Sequence, residues 1–179
     1  MARYVAFLGS VNVGGNRLSM AELRHALERE EFENVETVVA SGNVLLDHDD
    51  RPTDGLAEKI RYILLDRFDI DGMVAVRSRD ELAAAIAENP FAADGEEARV
   101  HTMFLAGQPE PEAFADLVAA YDGRGPERIA PGTRAVHVDW CEGVGKSRLT
   151  GPFIERRLGM GGTARNLRSM RRVLAKMDA

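Results

Sequence analysis

The stretch VETVVASGNVLLD, residues Val35–Asp47, decides how the chain folds. Two runs rich in β-branched and apolar residues, Val35–Ala40 and Val44–Asp47, flank Ser41-Gly42-Asn43. Those three residues suit a tight turn, so the pattern predicts two strands joined in a hairpin. Upstream, Arg3–Ser10 is a short apolar run that predicts a strand, and the glycine-containing loop 11–18 follows it. Ser19 then stands three residues before Glu22 at capping-box spacing, and Met20, Leu23 and Leu27 form the apolar stripe of a helix reaching about Glu31. Downstream, Leu56, Ile60, Ile63 and Leu64 mark a second amphipathic helix, and Met73–Val76 a further strand. The order is β-α-β-β-α-β, the split βαβ or ferredoxin-like plan, and the hairpin is what distinguishes it from a simple βαβ unit.

A short helix, Arg79–Glu88, is stopped by Asn89-Pro90 and leads into a second series. Strand 99–106, helix 111–121, strands 127–130 and 134–140, and helices 147–158 and 164–177 repeat β-α-β-β-α, with a helix where the last strand would stand. The expected fold class is therefore α+β, with duplicated ferredoxin-like (split β-α-β) subdomains carrying antiparallel or mixed sheets. The expected division is residues 1–78, a connecting helix and loop 79–98, and residues 99–179 with a basic C-terminal helix. One continuous mixed sheet with helices on one face is the alternative for the same string.

With 45% apolar and 29% charged residues in 179, the chain has enough apolar material for one core or two small ones. The amino-terminal run is interrupted far short of the roughly 20 residues a membrane helix needs, and a single cysteine, Cys141, excludes an internal disulfide framework. A cytoplasmic location is the expectation. The net charge of -6 hides a split: residues 143–179 hold nine Lys and Arg against Glu155 and Asp178, so the acidic excess lies entirely in the first 142 residues. A basic tail of this kind either meets an anionic partner or lies against its own acidic body.

Asp139–Thr150, DWCEGVGKSRLT, resembles a phosphate-gripping loop, but a Walker loop needs a glycine five residues before its Gly-Lys pair, where this chain has Trp140. It is not read as a Walker-type NTPase. Gly145, Lys146, Ser147 and Arg148 are read as an anion seat at a helix beginning near Ser147. The leading ligand-binding expectation is a second glycine-rich place, Asn12, Gly14, Gly15, Asn16 and Arg17, facing Ser41, Gly42 and Asn43 across one sheet edge. There, glycine amides, amide side chains and an arginine would hold a phosphate or carboxylate.

At 100 degrees per residue, Arg165, Arg168, Arg172 and Lys176 form a cationic stripe opposite Leu167, Met170, Val173, Leu174 and Met177. Nucleic-acid binding through that stripe is the alternative partner reading, but no aromatic residues interleave it. His101 and His137 fall on neighbouring strands, while His25 and His48 read as surface residues. Two histidines lack a third ligand at metal spacing, and Asp47, Asp49, Asp50 and Asp54 miss the EF-hand pattern, so no metal is assigned. No cofactor motif and no catalytic pair are legible, which leaves enzymatic activity open. The best reading is a cytoplasmic binding module for a small anionic ligand; a structural or oligomer-forming domain is the further alternative.

Taken together, YVAFLGSVNVGGNRLSMAELRHAL, VVASGNVLL, the NPF after the third helix, GVGKSRLT and TARNL resemble the bacterial family catalogued as domain of unknown function 1697. The resemblance implies two ferredoxin-like subdomains, a cytoplasmic protein, no established activity and no agreed catalytic residues. Leu8–Gly15 takes the place of the family's Leu-Arg-Gly-Ile-Asn-Val-Gly-Gly, with Gly9 where an arginine is usual and Ser10 where a glycine is usual. Arg165–Ser169 takes the place of Arg-Asn-Trp-Asn-Thr, so Leu167 stands where the family has tryptophan. The Gly-Lys-Ser stretch fits the pattern Gly-Ile-Gly-Arg-Ser-Lys-Leu.

Overall fold

The structure, a computed structural model, describes residues 1–9 and 18–179. The chain divides into two compact units, Met1–Ala83 with Arg172–Ala179, and Ala84–Arg171. Each unit carries one four-stranded antiparallel sheet, and the described residues form six α-helices in all, a mixed α+β fold of duplicated split βαβ units.

In the first unit β1 (Ala2–Leu8), α1 (Met20–Glu28), β2 (Glu33–Val38), β3 (Ala40–His48), α2 (Thr53–Phe68) and β4 (Val74–Ser78) give the strand order β2-β3-β1-β4. The helix α1 starts where its sequence signals: the Ser19 hydroxyl accepts from the Glu22 amide at 3.1 Å and the Glu22 carboxylate accepts from the Ser19 amide. Tyr4, Ala6 and Leu8 of β1 pack with Leu23 and Leu27 of α1 and Leu56, Ile60 and Leu64 of α2. Each such buried side chain contributes about 1.5–3 kcal/mol, which holds the helices to one face of the sheet.

The hairpin forms, but its turn is displaced. The connection falls at Val39, with φ of 65°, while Ser41, Gly42 and Asn43 lie inside β3, where the register against β2 shifts between Thr37 and Val38. Turn-forming residues here supply an irregular stretch of strand rather than the reversal itself. His48, expected at the surface, is buried, with its ring 4.7 Å from Phe32 and its Nε2 accepting from Lys59 at 3.0 Å. Its Nδ1, 3.1 Å from the Asp49 carbonyl, carries the proton in that arrangement.

The second unit begins within α3 (Arg79–Glu88), which Ser78 and Glu81 open with a reciprocal cap. It continues through β5 (Val100–Leu105), α4 (Pro111–Tyr121), β6 (Arg128–Gly132), β7 (Ala135–Asp139), α5 (Gly151–Leu158) and β8 (Gly162–Asn166) in the strand order β6-β7-β5-β8. The last strand is therefore present: Gly162–Asn166 pairs with β5 along its length, and the final helix, α6 (Leu167–Met177), starts after it. Asn166 caps α6 by accepting from the Ser169 amide at 2.8 Å. Met103, Leu105, Val136, Val138 and Trp140 pack beneath Phe114 and Leu117 of α4 and Ile154 and Leu158 of α5. Among the described residues no helix is long and apolar enough to cross a membrane.

Candidate functional site

Asn12, Gly14, Gly15, Asn16 and Arg17 lie outside the described residues, as does the side chain of Ser41. Asn43 is fully buried and pairs with Phe7, so the carboxyl end of β1 and the segment 41–43 do meet at one sheet edge.

The Gly-Lys-Ser stretch is fully described. Trp140, 2% exposed, closes the core and donates from Nε1 to the Leu149 carbonyl at 2.8 Å, and the strand entering the stretch belongs to an antiparallel sheet. Gly143, at φ 101°, makes the bend into a single 3-10 turn, Val144–Lys146, after which Ser147 is extended. No α-helix begins at Ser147; α5 begins at Gly151 with Thr150 as its cap and Pro152 in its first turn. The Ser147 amide bonds Val144, and its hydroxyl donates to Glu127 at 2.7 Å while accepting from the Leu149 amide. Ser147 is thus committed to the turn and offers neither a free nucleophile nor an amide seat for an anion.

What this turn does supply is charge. Lys146 and Arg148 are exposed, the Arg148 charge acts on the Tyr121 phenol, and the Tyr121 and Phe153 rings meet edge to face at 6.0 Å. Arg124 and Arg157 both lie over the Phe153 ring as cation–π partners, with guanidinium carbons 5.7 and 5.0 Å from its centroid. Among the described residues none of Arg124, Arg148 and Arg157 forms an ion pair. The one nearby acid with a fixed role, Glu127, accepts from Tyr121 at 2.6 Å and from Ser147. Burial opposes ionisation of Glu127, but those two hydrogen bonds outweigh it and hold its carboxyl below the ordinary value. Burial and Glu127 raise the Tyr121 phenol, while the Arg148 charge works the other way. Cys141 is raised by burial and by Asp139, the opposite of a reactive thiol.

The cationic stripe is shorter than its spacing implies. Arg165 lies on β8, half-buried, where Nη1 donates to Thr163 Oγ1 at 2.7 Å and to the Ala164 carbonyl at 2.9 Å, and burial lowers its pKa to about 10. Arg168, Arg172 and Lys176 are exposed on α6, and Arg171 beside them pairs with Glu97 at 2.6 Å. His101 and His137 do not pair either. They are one residue out of register and face opposite sides of the sheet, His101 lying edge-on to Trp140 at 5.0 Å. Among the described residues no three His, Cys, Asp or Glu side chains gather as a metal would require.

Sequence reasoning passed over a polar chain on the other face of the second sheet. Thr102 Oγ1 and His137 Nδ1 are 2.8 Å apart, and His137 Nε2 is 2.8 Å from Glu88 Oε2. Thr102 and His137 are both 0% exposed. Glu88 also accepts from the Thr133 amide at 3.0 Å and from its hydroxyl at 2.6 Å. Burial opposes the Glu88 charge, but the bonds from Thr133 and His137 prevail and keep its pKa below the ordinary value. Burial likewise lowers His137, so the imidazole is neutral, donating from Nε2 and accepting the Thr102 hydroxyl proton at Nδ1. The wiring is that of a hydroxyl, a base and an acid, yet the hydroxyl is sealed in the core and only the carboxylate reaches the surface.

These features define a duplicated split-βαβ protein whose second unit bears one cationic and one carboxylate-bearing surface. Residues 1–137 match the family described as "Protein of unknown function (DUF1697)", and the chain belongs to that family. No curated protein matches it. Among solved structures, the conserved bacterial protein SP0830 from Streptococcus pneumoniae is similar at 20% identity and a TM-score of 0.69, covering 100% of this chain and 99% of that one. At that identity the likeness speaks for the fold.

Proposed function

We propose that the protein is a binding module for a small anionic ligand bearing phosphate or carboxylate, taken up on the face formed by Arg124, Arg148 and Arg157 around Phe153, with Lys146 at its margin. The observation that carries the reading is the pair of guanidinium groups held over one aromatic ring without an acid to neutralise them. A guanidinium held over a ring face can still turn its N–H groups to an acceptor, and arginine grips phosphate and carboxylate through such paired donors. Two like charges sharing a ring also repel, and an anion between their donors relieves that repulsion. Glu127, which accepts from Tyr121 and Ser147, keeps its charge but forms an ion pair with none of the three arginines. Gly143 and Gly145 let the Lys146–Arg148 turn run at the surface, so the sequence motif contributes cations rather than a phosphate loop. The reading takes the cytoplasm as the compartment that supplies such a ligand.

A thermal-shift screen of phosphate, nucleotides, sugar phosphates and di- and tricarboxylates tests this. A true ligand at a hundred times its dissociation constant adds about 2.7 kcal/mol, a rise of several degrees for a chain of this size. In R124Q/R157Q the rise is lost while the unliganded melting temperature stays near wild type. A screen with no stabilising anion, or a rise that survives the double substitution, overturns the reading.

A further inference from the structure

We propose that the cleft between the tip of the β6–β7 hairpin, the loop after β5 and the end of α3 is a second binding site, selective for a primary ammonium group on a short apolar stem and anchored by the Glu88 carboxylate. The open cleft offers about 390 Å³, and its walls are Pro109, Pro111, Phe114 and Pro131, with Gln108, Thr133 and Glu88 as its polar side chains. It lies within the second unit and is independent of the Arg124–Arg157 face.

The carboxylate is built into place. The hairpin turns through Thr133 and Arg134 between Gly132 and Ala135, and Gln108 spans it, accepting from the Arg134 amide at 2.7 Å and donating to the Gly132 carbonyl at 3.3 Å. That fixes Thr133, whose amide and hydroxyl hold Glu88 from one side while His137 holds it from beneath. Gly132 must lack a side chain, since a Cβ there would stand 2.7 Å from His137 Nε2 and 2.9 Å from Glu88 Oε2. An acid supported at every contact, with its own supports fixed in turn, is how a binding group is made rigid rather than how a surface glutamate behaves.

The charge of this acid is what selects the ligand. Thr133 and neutral His137 bring three donors to the carboxylate, the Thr133 amide shared between both oxygens, but no full positive charge. The Glu88 side chain, 31% exposed, therefore presents a negative charge that no cation neutralises to a largely apolar cleft. A point-like ammonium can approach the exposed edge of a carboxylate whose two oxygens are already engaged; a guanidinium, which needs both oxygens for two parallel bonds, is disfavoured. A divalent metal would favour further charged ligands, and among the described residues no three His, Cys, Asp or Glu side chains gather. The proline and phenylalanine walls take the stem.

Titration of the isotope-labelled full chain, followed at the Thr133 amide, tests the proposal with n-butylammonium as a free amine and Nα-acetyl-lysine N-methylamide as a peptide-borne one. A ligand so small is expected to saturate the shift with a dissociation constant of about a millimolar. Butanoate, with the same stem and the opposite charge, is expected to leave Thr133 unmoved. E88Q is expected to weaken binding at least tenfold, and Q108E, which adds a second carboxylate at the rim, to tighten it several-fold. Binding of the free amine alone assigns the site to small amines; binding of both admits a lysine side chain. No saturable shift with either probe, an equal response to butanoate, or unchanged affinity in E88Q overturns the proposal. Should E88Q fail to fold, Q108E decides: absence of tightening there also overturns it.

Discussion

The two sheets share one topology and differ at one layer. Val5 of β1 faces Leu45 of β3 and Arg77 of β4; at the matching register Thr102 of β5 faces His137 of β7 and Arg165 of β8. The arginines even repeat a contact, Arg77 Nη1 donating to the Val76 carbonyl at 2.8 Å and Arg165 Nη1 to the Ala164 carbonyl at 2.9 Å. An apolar pair in the first sheet thus corresponds to a hydrogen-bonded polar pair in the second. The first sheet, where Arg77 is the one polar member of the three, holds that layer without a hydrogen-bonded pair between β1 and β3. Thr102 and His137 are there for what lies above them, the Glu88 carboxylate and the hairpin it joins, and buried polar groups are kept where their full satisfaction specifies a geometry.

Exchanging the layers tests this directly. Placing the polar pair in the first sheet, V5T/L45H, buries a hydroxyl and an imidazole without the acid that completes the chain, at an expected cost of at least about 3 kcal/mol by urea unfolding. In the second sheet, H137L strands the Thr102 hydroxyl in the core and takes a bond from Glu88, at an expected cost of about 2–5 kcal/mol, whereas T102V/H137L removes the stranded hydroxyl and should recover about 1–3 kcal/mol of it, leaving the lost Glu88 bond. If the double variant is no better than H137L, the pair contributes more than its local hydrogen bonds and the comparison fails.

Histidines on both faces make the stability of the second sheet depend on pH. Burial lowers His137 and, on the other face, His101. A depressed folded pKa means that the unfolded chain binds the proton more readily, so the stability from these neutral histidines is complete above about pH 6.5 and falls as pH drops through their folded values. Each contributes a slope of up to about 1.4 kcal/mol per pH unit in that window. The carboxylates Glu88 and Glu127, lowered by their hydrogen bonds, release their share only under more acid conditions. T102V/H137L should flatten the first window and leave only the His101 part; an unchanged profile in chemical unfolding between pH 7 and 5 contradicts the neutral His137.

The element order was legible because strand and helix periods alternate cleanly, as in the apolar face of β1 and the Ser19–Glu22 cap. The eighth strand was not: Gly162-Thr-Ala-Arg-Asn has one β-branched residue and continues into a helical stripe, and it is an edge strand whose ladder with β5 supplies what propensity does not. Lys146 and Arg148 could be named as cations from the sequence, but Arg124 and Arg157 could not, since only the packing of α4 against α5 brings them to Phe153. Glu88 read as the last residue of a short helix. Its partners stand 45 and 49 residues away, across a hairpin whose pairing no spacing rule specifies. The signal available was His137 itself, a histidine in the run Ala135–Asp139 where its topological counterpart is Leu45.

The hairpins offer the smallest and cleanest contrast. Both change direction through a residue other than glycine in the left-handed region, Val39 at φ 65° before β3 and Arg134 at φ 50° before β7. For a β-branched side chain that conformation crowds the branched carbon against the backbone, a cost of about 1–2 kcal/mol that asparagine largely avoids. Val39 is also 49% exposed, so its side chain returns little by burial. V39N should therefore raise stability by about 1 kcal/mol, a shift of about 2–4 °C in melting temperature. R134N should gain less, because arginine is unbranched at Cβ and the Arg134 amide already bonds Gln108 on the Glu88 hairpin. If R134N gains as much as V39N, strain is not what separates the two turns; if V39N gains nothing, the reversal is not held at Val39, and the turn belongs back among Ser41, Gly42 and Asn43.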